Sequence, residues 1–213
     1  MTRRVPHLRW VMAWATAVVA LMPLPVAAQG REPVGGFVGD LRLHTVSLPS
    51  SAGWTPPALT TATLVPSRGF GGEVGAHVIF GPGRHRRLGV GATGLLGQGR
   101  TTGIEGAATV TTRLTLVAPH ASANFGHRLG WSYLSGGAGL AKVSSEAAGG
   151  EADPGGWGTV FHYGGGARWF LNERLAVSVD LRFWALTPRA AVGDRPRAAA
   201  NTRIVFGAGV SLR

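Results

Sequence analysis

The sequence predicts an all-β fold, an eight-stranded antiparallel up-and-down barrel that spans a membrane, and three observations lead to this prediction. Apolar and polar residues alternate along many runs, most clearly over 175–184, where Leu, Val and Phe share one face and Ala, Ser, Asp, Arg and Trp share the other. Glycine accounts for 34 of the 213 residues and charged residues for only 15%, which is unlike a helical domain. Short and long connections alternate between the runs, as in barrels that cross a membrane.

The N-terminal segment has the parts of a secretory signal peptide. Arginines precede an apolar run over 10–22, and the small residues 26–28 follow it. A retained membrane anchor is the alternative, but the run is shorter than the roughly 20 residues that a spanning helix needs, and Pro23 and Pro25 follow directly. We therefore predict that residues 1–28 are removed and that 29–213 form the barrel. Because the chain has no cysteine, it forms no disulfide.

The alternating runs are long enough to cross a bilayer as tilted strands, which takes about 9–11 residues each. They cover 36–46, 69–80, 87–97, 109–125, 131–143, 161–171, 175–184 and 201–213. The long connections are 47–68, 98–108, 144–158 and 185–200. Pro119 in the fourth run cannot donate a ladder hydrogen bond, so it predicts a bulge or a change of register. The facing of the fifth run stays open, because both of its faces carry large apolar residues.

The polar faces of several runs carry charges of both signs, which a barrel would turn inward. Side chains fill the interior of an eight-stranded barrel, and unpaired charges there would be costly. We therefore predict a lumenal network of ion pairs and hydrogen bonds, with the members Asp40, Arg42, Glu73, Arg168, Asp180, Arg182 and Arg203. Within it, Asp180 and Arg182 are expected to bond across to two residues of other strands, Arg168 and Glu73.

Large aromatic residues lie near the ends of the runs, where a membrane-spanning barrel carries an interfacial girdle. The girdle candidates are Phe70, Phe80, Phe125, Trp131, Trp169, Phe183 and Trp184. Ordinary core aromatics are the alternative interpretation for each of them.

The long connections are the candidate contact surfaces. The first, 47–68, carries Trp54, which we expect to be exposed and available to a partner. The last connection is basic, and its Arg189, Arg195 and Arg197 are further contact candidates.

The string GGGARWFLNERLAVSVDLRF, residues 164–183, combines a glycine triplet, a short charged turn and Asp-x-Arg on the following strand. It resembles the penultimate hairpin of the small OmpA-like outer-membrane β-barrel proteins of Gram-negative bacteria. The resemblance implies an outer-membrane location, periplasmic turns and four extracellular loops. The implied partners are outer-membrane lipid, lipopolysaccharide and the barrel-insertion machinery, and the barrel is expected to be monomeric. The chain ends on Leu212 and Arg213, whereas family members usually end on an aromatic residue.

These features favour a non-catalytic barrel with a structural or surface-interaction role. One alternative is an outer-membrane lipid A deacylase, because the spacing of His120 and Ser122 resembles the His-x-Ser of those eight-stranded enzymes. That alternative needs a carboxylate soon after the serine, and the next acidic residue is Glu146. A narrow gated pore is the other alternative.

Three further classes of function are not expected. The net charge of +11 does not indicate nucleic-acid binding, since the arginines are scattered along the chain. The histidines at 44, 77, 120 and 162 lie on separate runs without the spacing of metal ligands, so they predict no metal site. The glycine triplet has no strand-to-helix context, so it predicts no nucleotide cofactor.

Overall fold

The computed structural model of the protein describes residues 36–50, 54, 65–81, 86–101, 109–127, 129–148, 152–153, 155–191 and 196–213. The predicted signal peptide, 1–28, lies outside the described residues. Within the described ranges, no helix has both the length and the apolar composition needed to cross a membrane.

Over these ranges the chain forms eight long β-strands and one two-residue strand. The long strands are β1 (Gly36–Ser47), β2 (Arg68–Phe80), β3 (Arg86–Thr101), β4 (Val110–His127), β5 (Gly130–Ala147), β7 (Trp157–Phe170), β8 (Leu175–Leu186) and β9 (Asn201–Leu212). The short strand, β6 (Ala152–Asp153), pairs with β5. Successive long strands pair antiparallel, and β1 pairs with β9 along eight positions, which closes the sheet. The prediction of an eight-stranded antiparallel up-and-down barrel is confirmed.

The barrel has a loop end, where the long connections lie, and a turn end, where the short turns lie. At the loop end β3 and β5 each continue four residues past their alternating runs, to Thr101 and to Ala147. The outward residues of these extensions are polar, as at Arg100 and Glu146. Backbone pairing continues there because a ladder needs only N–H and C=O groups, whatever the side chains are.

Apolar side chains cover the outward face of the barrel. Leu43 on β1 and Phe70 on β2 are 77% and 76% exposed. The same face carries Phe37, Leu41, Val74, Val78, Leu88, Val90, Leu96, Leu134, Leu140, Phe161, Ile204 and Phe206, all exposed. A soluble monomer rarely exposes so large a continuous apolar surface, whereas a barrel in hydrocarbon requires one.

The interior is layered along the barrel axis. Buried apolar residues fill the loop end, among them Leu95 on β3, Leu116 on β4 and Leu186 on β8. A smaller apolar cluster of Val38, Ile79, Trp131 and Tyr133, with Phe170 packed against it, fills the turn end. The buried charged residues lie between these two layers. The ion pairs therefore lie between two apolar clusters, and buried polar residues such as Asn124 toward the turn end and Thr112 toward the loop end lie beside those clusters.

Pro119 interrupts the pairing of β4 with β5 without changing its register. Val117 pairs with Leu140 and His120 pairs with Gly137, so two positions lose their partners and the same register resumes. On its other side Pro119 stays paired with Ala92 of β3. The predicted bulge or change of register was therefore wrong, because the missing N–H affects only the ladder toward β5.

Two of the predicted girdle aromatics lie inside the barrel. Trp131 and Trp184 are buried, the first in the turn-end cluster and the second in the loop-end cluster. The girdle prediction was wrong for them, because strand alternation turns both side chains toward the lumen. The other candidates have outward positions: Phe70, Phe80, Phe125, Trp169 and Phe183.

Candidate functional site

Six of the seven residues predicted for the lumenal network meet inside the barrel. Asp40 and Arg42 come from β1, Glu73 from β2, Arg168 from β7, and Asp180 and Arg182 from β8. β1 and β8 each contribute two members, which are two residues apart. Because side chains of a strand alternate between its faces, both members point inward. The six comprise three carboxylates and three guanidinium groups, all buried. Their formal charges balance, which lowers the cost of keeping them away from water.

Asp40 is the first centre of the network. Its carboxylate lies 2.8 Å from Arg42 Nη2, 2.7 Å from Arg168 Nη2 and 2.6 Å from His77 Nε2. The Ser211 hydroxyl of β9 donates a further hydrogen bond to it. Asp40 therefore joins four strands, β1, β2, β7 and β9, across the lumen.

Glu73 is the second centre. Arg42 Nη1 donates a hydrogen bond to Glu73 Oε1 over 2.7 Å, and Arg182 Nη2 lies 3.5 Å from the same oxygen. His44 Nε2 lies 3.4 Å from Glu73 Oε2. Arg42 also donates from Nε to the Ser178 hydroxyl over 3.3 Å, which links this centre to β8.

Asp180 is the third centre. Arg182 Nε lies 2.8 Å from Asp180 Oδ1, and the Tyr133 hydroxyl of β5 donates a hydrogen bond to Oδ2. The Arg168 guanidinium stacks over the Tyr133 ring, with 4.3 Å between Cζ and the ring centroid. Arg182 lies close to Glu73, as the sequence predicts, but at 3.5 Å the two groups form an ion pair without a hydrogen bond from Arg182 Nη2. Arg168, by contrast, pairs with Asp40 and reaches the Asp180 centre only through Tyr133.

Inward glycines make room for these long side chains. A Cβ on Gly166 of β7 would lie 2.6 Å from Tyr133 Oη, too close for two non-bonded heavy atoms. A Cβ on Gly207 of β9 would overlap the ring of His44. Gly164 and Gly166, the two inward members of the glycine triplet, thus make room for Arg182 and Tyr133.

Comparison with known proteins supports the same architecture. No protein-family model and no curated protein sequence matches the chain. Neisserial surface protein A (NspA) is a similar solved structure, with a TM-score of 0.55, 14% sequence identity, and coverage of 83% of this chain and 96% of that chain. Ail, the attachment invasion locus protein of Yersinia pestis, solved with the heparin analogue sucrose octasulfate, has a TM-score of 0.50, 9% identity, and coverage of 83% and 98%. This chain has the fold of a small outer-membrane β-barrel.

Three histidines, besides the His44 that lies next to Glu73, extend the polar interior of this outer-membrane barrel fold. His77 Nδ1 and His120 Nε2 share a hydrogen bond of 3.0 Å, and the rings of His120 and His162 meet edge to face at 5.7 Å between centroids. His162 stacks on Trp184 at 4.5 Å. Among the residues that the structure describes, no group of three His, Cys, Asp or Glu side chains could hold a metal ion.

The His-x-Ser pair faces the lumen of the barrel. His120 and Ser122 are both buried on the inward face of β4. Ser122 Oγ accepts a hydrogen bond from Asn124 Nδ2 over 3.0 Å, and the nearest bonded partner of His120 is His77. A serine nucleophile needs a histidine base within hydrogen-bond reach and access to its substrate. Neither side chain reaches the outward surface of the barrel, and each has its hydrogen bond with a residue other than its partner in the pair.

At the loop end, Trp54 folds over the interior of the barrel. The residue is only 2% exposed, its Nε1 donates to the Ala199 carbonyl over 3.3 Å, and the Arg189 guanidinium lies 4.5 Å from its ring centroid. The expectation of an exposed Trp54 was therefore wrong, because the apolar lumen mouth offers its indole a better environment than water. Arg189 is held at this contact, Arg197 is exposed, and Arg195 lies outside the described residues.

Arg203 lies inward but outside the ion network. Its Nη1 donates to the Leu48 carbonyl over 2.8 Å, near the loop end. The expectation that it joins the carboxylates was wrong, because β9 brings it closer to the first long connection than to the centre of the barrel. Sequence reasoning also missed Tyr133, His77 and Ser211 as network members. The available signal was the position of each residue on the inward face of its strand. For Tyr133 this signal was weak, because large apolar residues occupy both faces of β5.

Proposed function

We propose that the protein is a monomeric, non-catalytic outer-membrane barrel, which reinforces the envelope and displays its long connections on the cell surface. The observation that carries the proposal is the layered lumen. A charge-balanced ion network and large buried side chains fill the described lumen between the two apolar clusters. This arrangement suits a rigid, filled barrel.

The outward apolar surface supports a membrane location. It surrounds the barrel between polar residues at the loop end and the turns, as a hydrocarbon layer would require. Insertion by the barrel-assembly machinery and contact with outer-membrane lipid belong to the same proposal.

Two alternatives have less support. A gated pore would need the apolar layers at both ends to move, and these layers contain large packed side chains such as Trp54, Leu186 and Trp131. A deacylase would need His120 and Ser122 to reach lipid, yet both point into the lumen.

Cell fractionation combined with gel mobility tests the proposal. We expect the protein in the outer-membrane fraction, with an unboiled band that migrates differently from the boiled one because the closed barrel resists detergent. Purified protein in planar bilayers should give no stable conductance steps. Recovery as a soluble protein without detergent, or regular conductance steps from the intact barrel, would contradict the proposal. Cells with the His120→Ala variant and cells with the unaltered protein should show the same lipid A acylation.

A further inference from the structure

Three lumenal histidines lie on one row of the barrel wall, with a glycine between each two. The paired positions around the barrel are His77 on β2, Gly91 on β3, His120 on β4, Gly137 on β5 and His162 on β7. A Cβ on Gly91 would lie 3.0 Å from His120 Nε2 and 3.1 Å from His77 Nδ1. A side chain at this glycine would separate the two rings. The glycine therefore lets two imidazoles meet across the strand that lies between them.

Hydrogen bonds fix the protons on the rings of His77 and His120. The ionised carboxylate of Asp40 only accepts hydrogen bonds, so His77 Nε2, at 2.6 Å, donates to it. His77 Nδ1 is then an acceptor, and His120 Nε2 donates to it over 3.0 Å. His120 Nδ1 is left without a proton, and it receives no hydrogen bond from the described residues. Both rings are therefore neutral, and His120 Nδ1 is the place where a further proton would enter the pair.

The surroundings of His77 offer no spare negative charge to such a proton. His77 faces Asp40 on β1, His120 on β4 and the guanidinium of Arg168 on β7, whose Nη2 lies 3.5 Å from His77 Nε2. The Asp40 carboxylate is already shared, because Arg42 Nη2 lies 2.8 Å and Arg168 Nη2 lies 2.7 Å from it. A charged His77 would be the third cation on one carboxylate.

The surroundings of His120 are less favourable still. The titratable and charged groups that act on it are His77, His162 and the guanidinium of Arg182 on β8. His162 in turn faces His120, Arg182 and Asp180, and Asp180 is engaged by Arg182 Nε at 2.8 Å. A proton on His120 would therefore meet a cation and two further imidazoles before it met a carboxylate.

An imidazolium in this row would upset the charge balance of the lumen. The three carboxylates and three guanidinium groups of the network already balance, and uncompensated buried charge is strongly unfavourable. In an opened chain the same histidines lie in water, where imidazole becomes charged below about pH 6.5. An opened chain thus binds protons that the closed barrel does not bind. By linkage, the stability of the closed barrel then falls as the pH falls.

We propose that the hydrogen-bonded pair of His77 and His120 is an acid-sensitive lock of the lumen. At neutral pH the uncharged pair extends the ties of Asp40 from β2 to β4. Acidification favours states in which the lumen opens to water and the pair takes up a proton. This inference goes beyond the proposed function, because it concerns the protonation of the interior and holds for the closed barrel in any membrane.

The test compares two histidine variants in neutral detergent micelles. The site variant is His120→Gln, whose amide can donate to His77 Nδ1 but takes up no proton. The control variant is His127→Gln, at an exposed histidine at the turn end of β4. Urea unfolding at pH 7.5 and at pH 5.5, followed by circular dichroism, gives the unfolding constant of each protein at both pH values.

We expect the unfolding constant of the unaltered protein and of the control variant to rise by the same factor between pH 7.5 and pH 5.5. In the site variant the rise should be about tenfold smaller, since each histidine that is charged only in the opened chain contributes about tenfold over this interval. An equal rise in all three proteins, or no rise in any of them, would overturn the inference.

Nitrogen NMR of the histidine rings in the unaltered barrel is the second measurement, and it decides if the site variant does not fold. Both His77 and His120 should be neutral with the proton on Nε2 at pH 7.5, and should stay neutral in the folded barrel at pH 5.5. A charged ring in the folded barrel at either pH would contradict the lock.

Discussion

Arg42 and Glu73 occupy directly opposite positions on β1 and β2, and Arg42 Nη1 donates a 2.7 Å hydrogen bond to Glu73 Oε1 between fully buried side chains. Neither group has access to water, so each depends on buried partners for its charge compensation, and Arg42 has a second one in Asp40 at 2.8 Å. Glu73 is in addition shared with Arg182 and His44. Removal of one partner would leave buried charge uncompensated, which costs far more than the loss of an exposed pair.

Glu73→Gln should therefore lower the free energy of unfolding by about 3–5 kcal/mol, because it leaves Arg42 and Arg182 short of negative charge in the lumen. Urea unfolding in micelles, followed by gel mobility, measures the change. The matched control is Glu146→Gln, which removes the exposed partner of Arg113 at 3.8 Å and should cost about 0–1 kcal/mol. Similar losses in the two variants would contradict a stabilising network.

Tyr133→Phe removes the hydroxyl that donates to Asp180 and keeps the ring beneath Arg168. The Asp180 carboxylate then loses a buried donor, so we expect a loss of about 1–3 kcal/mol in the free energy of unfolding. The other tyrosine of the chain, Tyr163, is exposed on the outward face and supplies the control. Tyr163→Phe should change stability by no more than about 0.5 kcal/mol. An unaffected Tyr133→Phe barrel would show that the hydroxyl bond contributes nothing.

Gly166→Ala should destabilise the barrel by about 1–3 kcal/mol, because the added Cβ would meet Tyr133 Oη and the Val179 carbonyl inside a packed wall. Gly94→Ala on β3 is the control, since its Cβ would meet only Val74 Cγ2, at 3.9 Å. The midpoint temperature for loss of the fast-migrating folded band compares the two. Equal midpoints would mean that the glycine does not make room for the network.

Trp54→Ala should open the loop end. The indole is buried against the lumen mouth and contacts Ala199 and Arg189, so its removal should cost about 3 kcal/mol and make the bond after Arg189 a faster site of trypsin cleavage. Limited proteolysis of the folded barrel measures the second effect. Trp157→Ala, at an exposed outward tryptophan of β7, should leave the cleavage rate nearly unchanged. Slow cleavage of both variants would rule out a closing role for Trp54.

The alternation of apolar and polar residues in the sequence predicts most of the inward side chains correctly. On β8 the pattern predicts that four side chains share one face, and all four are buried in the lumen: Ser178, Asp180, Arg182 and Trp184. The same rule located the outward belt, because a side chain on a strand has only two directions to take. The pattern does not show which face of β5 points inward, because both faces carry large apolar residues, Trp131 and Tyr133 on one of them. The pairing of β5 with β4 and β7 decides its orientation.

The amino-acid order by itself determined the number of strands, their approximate limits and which face of most strands points outward, since these properties depend on neighbours along the chain. Only the tertiary structure decided which charges meet. Asp40 and Arg168 are 128 residues apart and become partners because closure between β1 and β9 brings β1 and β7 to one lumen. Trp54 likewise packs over the loop end because it contacts Ala199 and Arg189, which are far from it in the sequence. Periodicity is local, whereas pairing across a barrel depends on register and closure, which no single stretch of sequence contains.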